Sequence, residues 1–138
     1  MKVHTTNYID TFIEVAEDCQ AKKGEIPPTK GDEKSIANIQ FEIISQHPYK
    51  YSSDEVMFHC FATKKGLSKS ELQSECEIFF SKGQPCFRAS PLTKRYGWGI
   101  HSNSEGKIAL YGVETADYKK FLKDKKLKVV KAMRSKIA

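Results

Sequence analysis

Tyr96-Gly97-Trp98-Gly99-Ile100-His101 and Lys107-Ile108-Ala109-Leu110-Tyr111-Gly112-Val113 flank the five-residue loop Ser102-Asn103-Ser104-Glu105-Gly106. Aromatic and aliphatic residues alternate on both sides of a glycine-containing loop, which predicts a β-hairpin at the centre of a sheet. Two strands alone are marginal in water, so the hairpin needs partners. The segment Tyr8-Ile9-Asp10-Thr11-Phe12-Ile13-Glu14-Val15-Ala16 has the β-branched and aromatic content of a first strand and is expected to pair in the same sheet. Pro85 to Ala89, bounded by Pro85 and Pro91, reads as a short edge or irregular strand.

Helices are predicted around these strands. Ile36, Ile39, Ile43 and Ile44 recur at helical spacing, and Pro48 forces an end near Gln46. Ser52-Ser53-Asp54-Glu55 has the form of a capping box and opens a stretch that closes at Lys64-Lys65-Gly66. Val56, Phe58, Cys60 and Ala62 also alternate as a strand would, so residues 53–65 fit either element, with helix favoured. Ser68-Lys69-Ser70-Glu71 repeats the box before a stripe of Leu72, Cys76, Phe79 and Phe80, closed by Lys82-Gly83. Thr115 caps a helix through Tyr118, Phe121 and Leu122, and a last helical stretch is expected around Leu127, Val130 and Met133. Glu17 to Lys34, broken by Gly24, Pro27-Pro28 and Gly31, reads as a long surface loop. The fold class is α+β: one domain over residues 1–138, with a three- to four-stranded antiparallel sheet and helices packed mainly on one face.

Composition agrees with one core. A chain of 138 residues fits a single domain. Apolar residues at 39% and charged residues at 29% exclude a disordered tail or a membrane protein. No apolar run reaches the roughly 18 residues that span a bilayer, and Met1 to Thr6 lack the apolar stretch of a signal peptide, so a cytoplasmic protein without a membrane partner is expected. Cys19, Cys60, Cys76 and Cys86 form no C-x-x-C pair, and His4, His47, His59 and His101 lack the i, i+4 spacing of a zinc helix. Free thiols, no metal and no cofactor are expected. The net charge of +6 hides an asymmetry: residues 1–81 carry 9 basic and 13 acidic side chains, residues 82–138 carry 14 and 4. Such a division fits an anionic partner, self-association of an acidic with a basic face, or a solvated lysine-rich helix.

Two long stretches carry a resemblance. His4-Thr5-Thr6-Asn7-Tyr8 runs into Asp10-Thr11-Phe12-Ile13-Glu14-Val15-Ala16-Glu17-Asp18-Cys19. Ser81-Lys82-Gly83-Gln84-Pro85-Cys86-Phe87-Arg88-Ala89-Ser90-Pro91 runs into Lys94-Arg95-Tyr96-Gly97-Trp98-Gly99-Ile100-His101. They resemble a family of small, mostly bacterial proteins classed as a domain of unknown function. The resemblance covers nearly the whole chain, and Lys131-Ala132-Met133-Arg134-Ser135-Lys136 is similar to the family's end. It implies relatives but no activity, cofactor or catalytic residue.

Candidate site residues concentrate between Lys82 and His101. Arg88, Lys94 and Arg95 beside Tyr96 and Trp98 offer paired donors and stacking rings, which suit an anionic, planar ligand such as a nucleotide or carboxylate. The alternative is that the rings fill the core while the basic side chains snorkel to water. Gly97, Gly99 and His101 share one strand face, open either to a flat ligand or to a helix packed on the glycines. If the first strand pairs with the hairpin, His4, Asn7 and Tyr8 face Arg88, Lys94, Arg95 and His101 in one positive cluster.

The leading expectation is therefore a small binding protein for an anionic or nucleotide-like ligand. A ligand-free homodimer joining acidic and basic halves is the second, and an enzyme using Cys86 with His101 the third. Phosphate-loop and dinucleotide fingerprints are absent, as is any zinc-finger, RNA-binding or helix-turn-helix signature that would support a nucleic-acid partner.

Overall fold

The computed structural model describes residues 4–29, 31 and 33–134. Along them run β1 (Thr11–Glu14), α1 (Ile36–Gln46), α2 (Ser53–Lys65) and α3 (Leu72–Phe80). A 3₁₀ turn (Phe87–Ala89), α4 (Pro91–Lys94), β2 (Trp98–Ser102), β3 (Ile108–Gly112), α5 (Ala116–Lys123) and β4 (Lys128–Lys131) follow. The strands form one sheet in the order β3-β2-β1-β4. β2 pairs antiparallel with both β3 and β1, so the expected hairpin and its first-strand partner are present, with β2 inside and β3 at an edge.

Two expectations at the chain's far end need correction. Residues 128–131 are a strand parallel to β1, with Val129 opposite Phe12 and Val130 opposite Ile13. The sheet is thus mixed rather than wholly antiparallel. The residues read as a final helix instead extend it, because two β-branched valines gain a ladder beside β1 and the backbone of Lys128 donates to Asp10. Pro85 to Ala89, read as a short strand, hold the 3₁₀ turn instead, and α4 follows from Pro91. Pro91 occupies the first helical turn, where its missing N–H costs nothing, and the Ser90 side chain caps it by accepting from the backbone N–H of Leu92.

Of the two boxes read from the sequence, the first caps its helix and the second does not. Ser52 and Glu55 close a reciprocal box on α2, which Gly66 ends in the left-handed region at φ 67°, so residues 53–65 are helix. Ser35 and Asn38 form the equivalent box on α1. Ser68 and Glu71 bond each other one turn before α3, which starts at Leu72. None of the α3 residues is fully buried, so Cys76 is half-buried rather than core.

Strand alternation divides the core. Ile13, Ile100 and Ile108 face α1, α2 and α4, packing with Ile39, Ile44, Val56, Cys60, Phe87 and Leu92. Each fully buried aliphatic side chain of this kind contributes about 1.5–3 kcal/mol. Phe12 and His101 face the other way, where α5 covers them with Tyr118 and Phe121. Gly99 lies beneath α5: a Cβ there would stand 2.5 Å from Phe12 and 2.6 Å from Tyr118. A helix therefore occupies the glycine face. The four cysteines are free thiols. No helix among the described residues is long and apolar enough to cross a membrane. Residues 135–138, part of the family-like C-terminal end, lie outside the described residues.

Candidate functional site

The segment from Arg88 to His101 is spread over three environments. Arg88 donates from Nε to the carbonyl of Lys131 at 2.7 Å, while its own carbonyl accepts from Met133, so it latches β4 to the 3₁₀ turn. Its guanidinium also lies beside the Tyr8 phenol, whose pKa is raised by burial and by Cys86 and drawn back by Arg88. Lys94 and Arg95 end α4, with Arg95 exposed. Tyr96 accepts from the backbone N–H of Glu25, and Trp98 donates from its indole to the carbonyl of Glu25 at 2.8 Å. Gly24 and Phe41 cover the indole ring. The loop after β1 is thus pinned over Trp98, which leaves no open stacking platform there.

His4 and Asn7 do not join these residues. The His4 backbone donates to Phe80, and Asn7 accepts from the backbone N–H of Asp54 at the start of α2. Thr5 and Thr6 give three further bonds to the Asp54 carboxylate, so this motif is a clasp on α2. Tyr8 does reach the second family-like stretch, with its hydroxyl 3.5 Å from the Cys86 sulfur.

His101 occupies a separate cluster on the α5 face. Its ring stacks on Phe121 at 4.4 Å, and Nδ1 lies 2.8 Å from the Tyr49 hydroxyl, which is 2.6 Å from that of Tyr111. Burial lowers the His101 pKa, outweighing Asp10 and Asp124, and pushes the Tyr49 phenol up. Tyr49 holds φ 60°, an unfavourable value for an aromatic residue, fixed by its N–H donating to Ile108. Cys86 lies across the sheet from His101, so the two do not form a nucleophile and base pair.

What the sequence reading missed is a cavity of about 490 Å³ between α1, α2, α3 and the segment 84–91. Met57, Cys60, Phe61 and Phe79 supply much of its apolar wall, and Cys86 lines it. Burial pushes the Cys60 thiol up to about 12, so it stays protonated. The polar part is small. Gln40, 2% exposed, accepts from the Ser90 hydroxyl at 2.6 Å, while its amide N–H donates to the Met57 thioether at 3.5 Å, a weak acceptor. Exposed Lys64 and Lys65 stand at the mouth, Lys65 over the Phe61 ring. One signal was available in the sequence: Gln40 breaks the apolar run of α1 at a position that faces inward.

A cavity of this size, with apolar walls and a few placed donors, is the shape of a small-molecule site. Fold and cavity define a small α+β domain with one mixed sheet and a ligand-sized recess between its helices and the 84–91 segment. The chain belongs to a family of unknown function, DUF6157, whose profile matches residues 3–138. No curated protein and no solved structure matches it.

Proposed function

We propose that this chain is a cytoplasmic binding module for a small anionic molecule with an apolar body, held in the cavity beside Gln40. The reading keeps the anionic ligand expected from the sequence and moves its site from the Trp98 segment to α2. One observation carries it: in an otherwise apolar recess, both charged side chains are cationic and neither is paired with a carboxylate among the described residues. Lys64 donates to the Lys34 carbonyl at 3.1 Å, Lys65 lies over the Phe61 ring, and the Gln40 amide N–H meets a thioether, a weak acceptor. An anionic oxygen would satisfy these donors, and the apolar walls would take the rest of the molecule. Four free thiols suit a reducing compartment.

Anilinonaphthalene sulfonate, an apolar anion, is the probe. Its fluorescence should rise on binding. Ala89→Phe, which fills the cavity, should abolish the rise, and Lys64→Gln with Lys65→Gln should weaken binding on the order of tenfold. An unchanged signal in the Ala89→Phe protein, with its fold intact by circular dichroism, places binding elsewhere and removes the proposal.

A further inference from the structure

Residues 119–131 carry Lys119, Lys120, Lys123, Lys125, Lys126, Lys128 and Lys131, and all seven are exposed. Only Lys131 has an ion pair among the described residues, with Glu17 at 3.1 Å. The acidic groups in and beside this stretch are Asp124, whose carboxylate accepts from the Lys126 backbone, Asp117 at the start of α5 and Asp10 beside the start of β4. None of them forms an ion pair with the six remaining ammonium groups among the described residues.

The fold sets their arrangement. α5 turns Tyr118 and Phe121 onto the sheet, which leaves Lys119, Lys120 and Lys123 on its outer side. Lys125 and Lys126 follow in the turn, and Lys128 opens the edge strand β4. Lysine on an edge strand protects it against pairing with other chains, which accounts for Lys128 and Lys131. Lys120 and Lys123 favour the C-terminal end of the α5 dipole. Those roles leave Lys119, Lys125 and Lys126 unexplained, and Lys119 and Lys123 repel across one helical turn.

We infer that this ridge is a binding surface for the phosphate backbone of a nucleic acid, without base specificity. Five of the charges follow one another along α5 and the turn rather than ringing a pocket, while Lys128, in register with Thr11 on the Val130 side of the sheet, turns away from α5; the five match a linear polymer of phosphates better than a single small anion. A bilayer fits less well, because the rings of α5 are turned inward and Leu122 is the one large apolar side chain that the helix exposes. A second copy offers acidic residues in small groups, such as Glu14, Glu17 and Asp18 or Glu71, Glu75 and Glu77, each with fewer charges than the ridge. Missing sequence-reading motifs do not bear on contacts made to phosphates alone. The inference is independent of the cavity, which shares none of these residues.

The test is fluorescence anisotropy with a labelled mixed-sequence RNA strand of about 20 nucleotides, titrated from about 50 to about 200 mM salt. Binding should weaken with salt at a log–log slope of about −3.5, as about five contacts to a single strand require. Replacing Lys119, Lys120, Lys123, Lys125 and Lys126 by Gln should remove it, whereas Arg at the same positions should retain it. The Lys64→Gln, Lys65→Gln protein should bind RNA as the unaltered chain does. Absence of binding at the lowest salt, or binding that the Gln variant keeps, overturns the inference. So does salt-sensitive self-association by light scattering, or capture by phosphatidylserine vesicles, if either is lost in the Gln variant while RNA is not bound.

Discussion

The Tyr49 hydroxyl lies 2.8 Å from Nδ1 of His101, joining the turn after α1 to the inner strand β2. This bond and the stack on Phe121 keep the imidazole in a place where burial disfavours its charged form. The folded-state pKa is therefore below the ordinary value near 6.5, and the unfolded chain binds more protons across the interval between the two. The contribution is fully present above about pH 6.5 and is lost as the pH falls through the folded value. His101→Phe keeps a ring against Phe121 and removes the titration. We expect it to cost about 1 kcal/mol at neutral pH, from the lost hydrogen bond, and to flatten the acid-side fall in stability. Urea unfolding at a series of pH values measures both, and an unchanged slope would refute the assignment.

Gly99 and Gly112 make a matched pair for testing how tightly α5 sits. At Gly99 a Cβ would press on Phe12 and Tyr118, 0% and 4% exposed, and neither ring has space to retreat. At Gly112 it would meet the carboxylate of Glu114, an exposed side chain that can swing away at the loss of one exposed bond from the Gly24 backbone N–H. Gly99→Ala should therefore destabilise by about 1–3 kcal/mol, and Gly112→Ala by clearly less. Equal shifts in the urea midpoint would mean that α5 does not rest on the glycine.

Asp54 organises the N-terminal clasp, accepting from the Thr6 backbone at 2.6 Å and from the hydroxyls of Thr5 and Thr6, each at 2.7 Å. It also stands in the first turn of α2, where a carboxylate is favoured by the helix dipole. Asp54→Ala should cost about 1.5–3 kcal/mol. Hydrogen exchange gives the sharper reading: the Thr6 amide should lose its protection while amides of β2 keep theirs. If Thr6 stays protected in the variant, the clasp does not depend on Asp54.

How much was readable in the sequence follows from the range of each interaction. The hairpin, the Ser52–Glu55 box and the end of α1 before Pro48 rest on residues a few positions apart, and all are present. β4 depends on a ladder to β1 more than a hundred residues earlier, and Leu127, Val130 and Met133 taken alone have helical spacing. Ser90-Pro91 starts a helix, and in sequence alone it also reads as a strand limit, an ambiguity that Pro creates wherever its φ suits both. The cavity was out of reach because α1, α2, α3 and the 84–91 segment each supply only part of its wall. The proposed cluster of His4, Asn7, Arg88 and His101 failed for the opposite reason. Adjacent strands did bring their segments near, but side chains alternate across a sheet and the residues before β1 turn away to α2.

The cysteines test the cavity directly, because two of them line it with different exposure. Cys60 is 2% exposed and its thiol is pushed up to about 12, so it offers almost no thiolate at neutral pH. Cys86 is half-buried on the same wall, beside Tyr8. With iodoacetamide at neutral pH, mass spectrometry should find Cys86 alkylated well before Cys60, and Cys60 should be the last of the four to react. Adding anilinonaphthalene sulfonate should slow Cys86 and leave Cys19, which does not line the recess, unaffected. Protection of both would mean that the dye acts by general stabilisation. Early modification of Cys60 would mean that the helices around the recess open readily enough for reagent to enter, which the packing of Val56, Phe87 and Leu92 at 1% exposure or less does not allow.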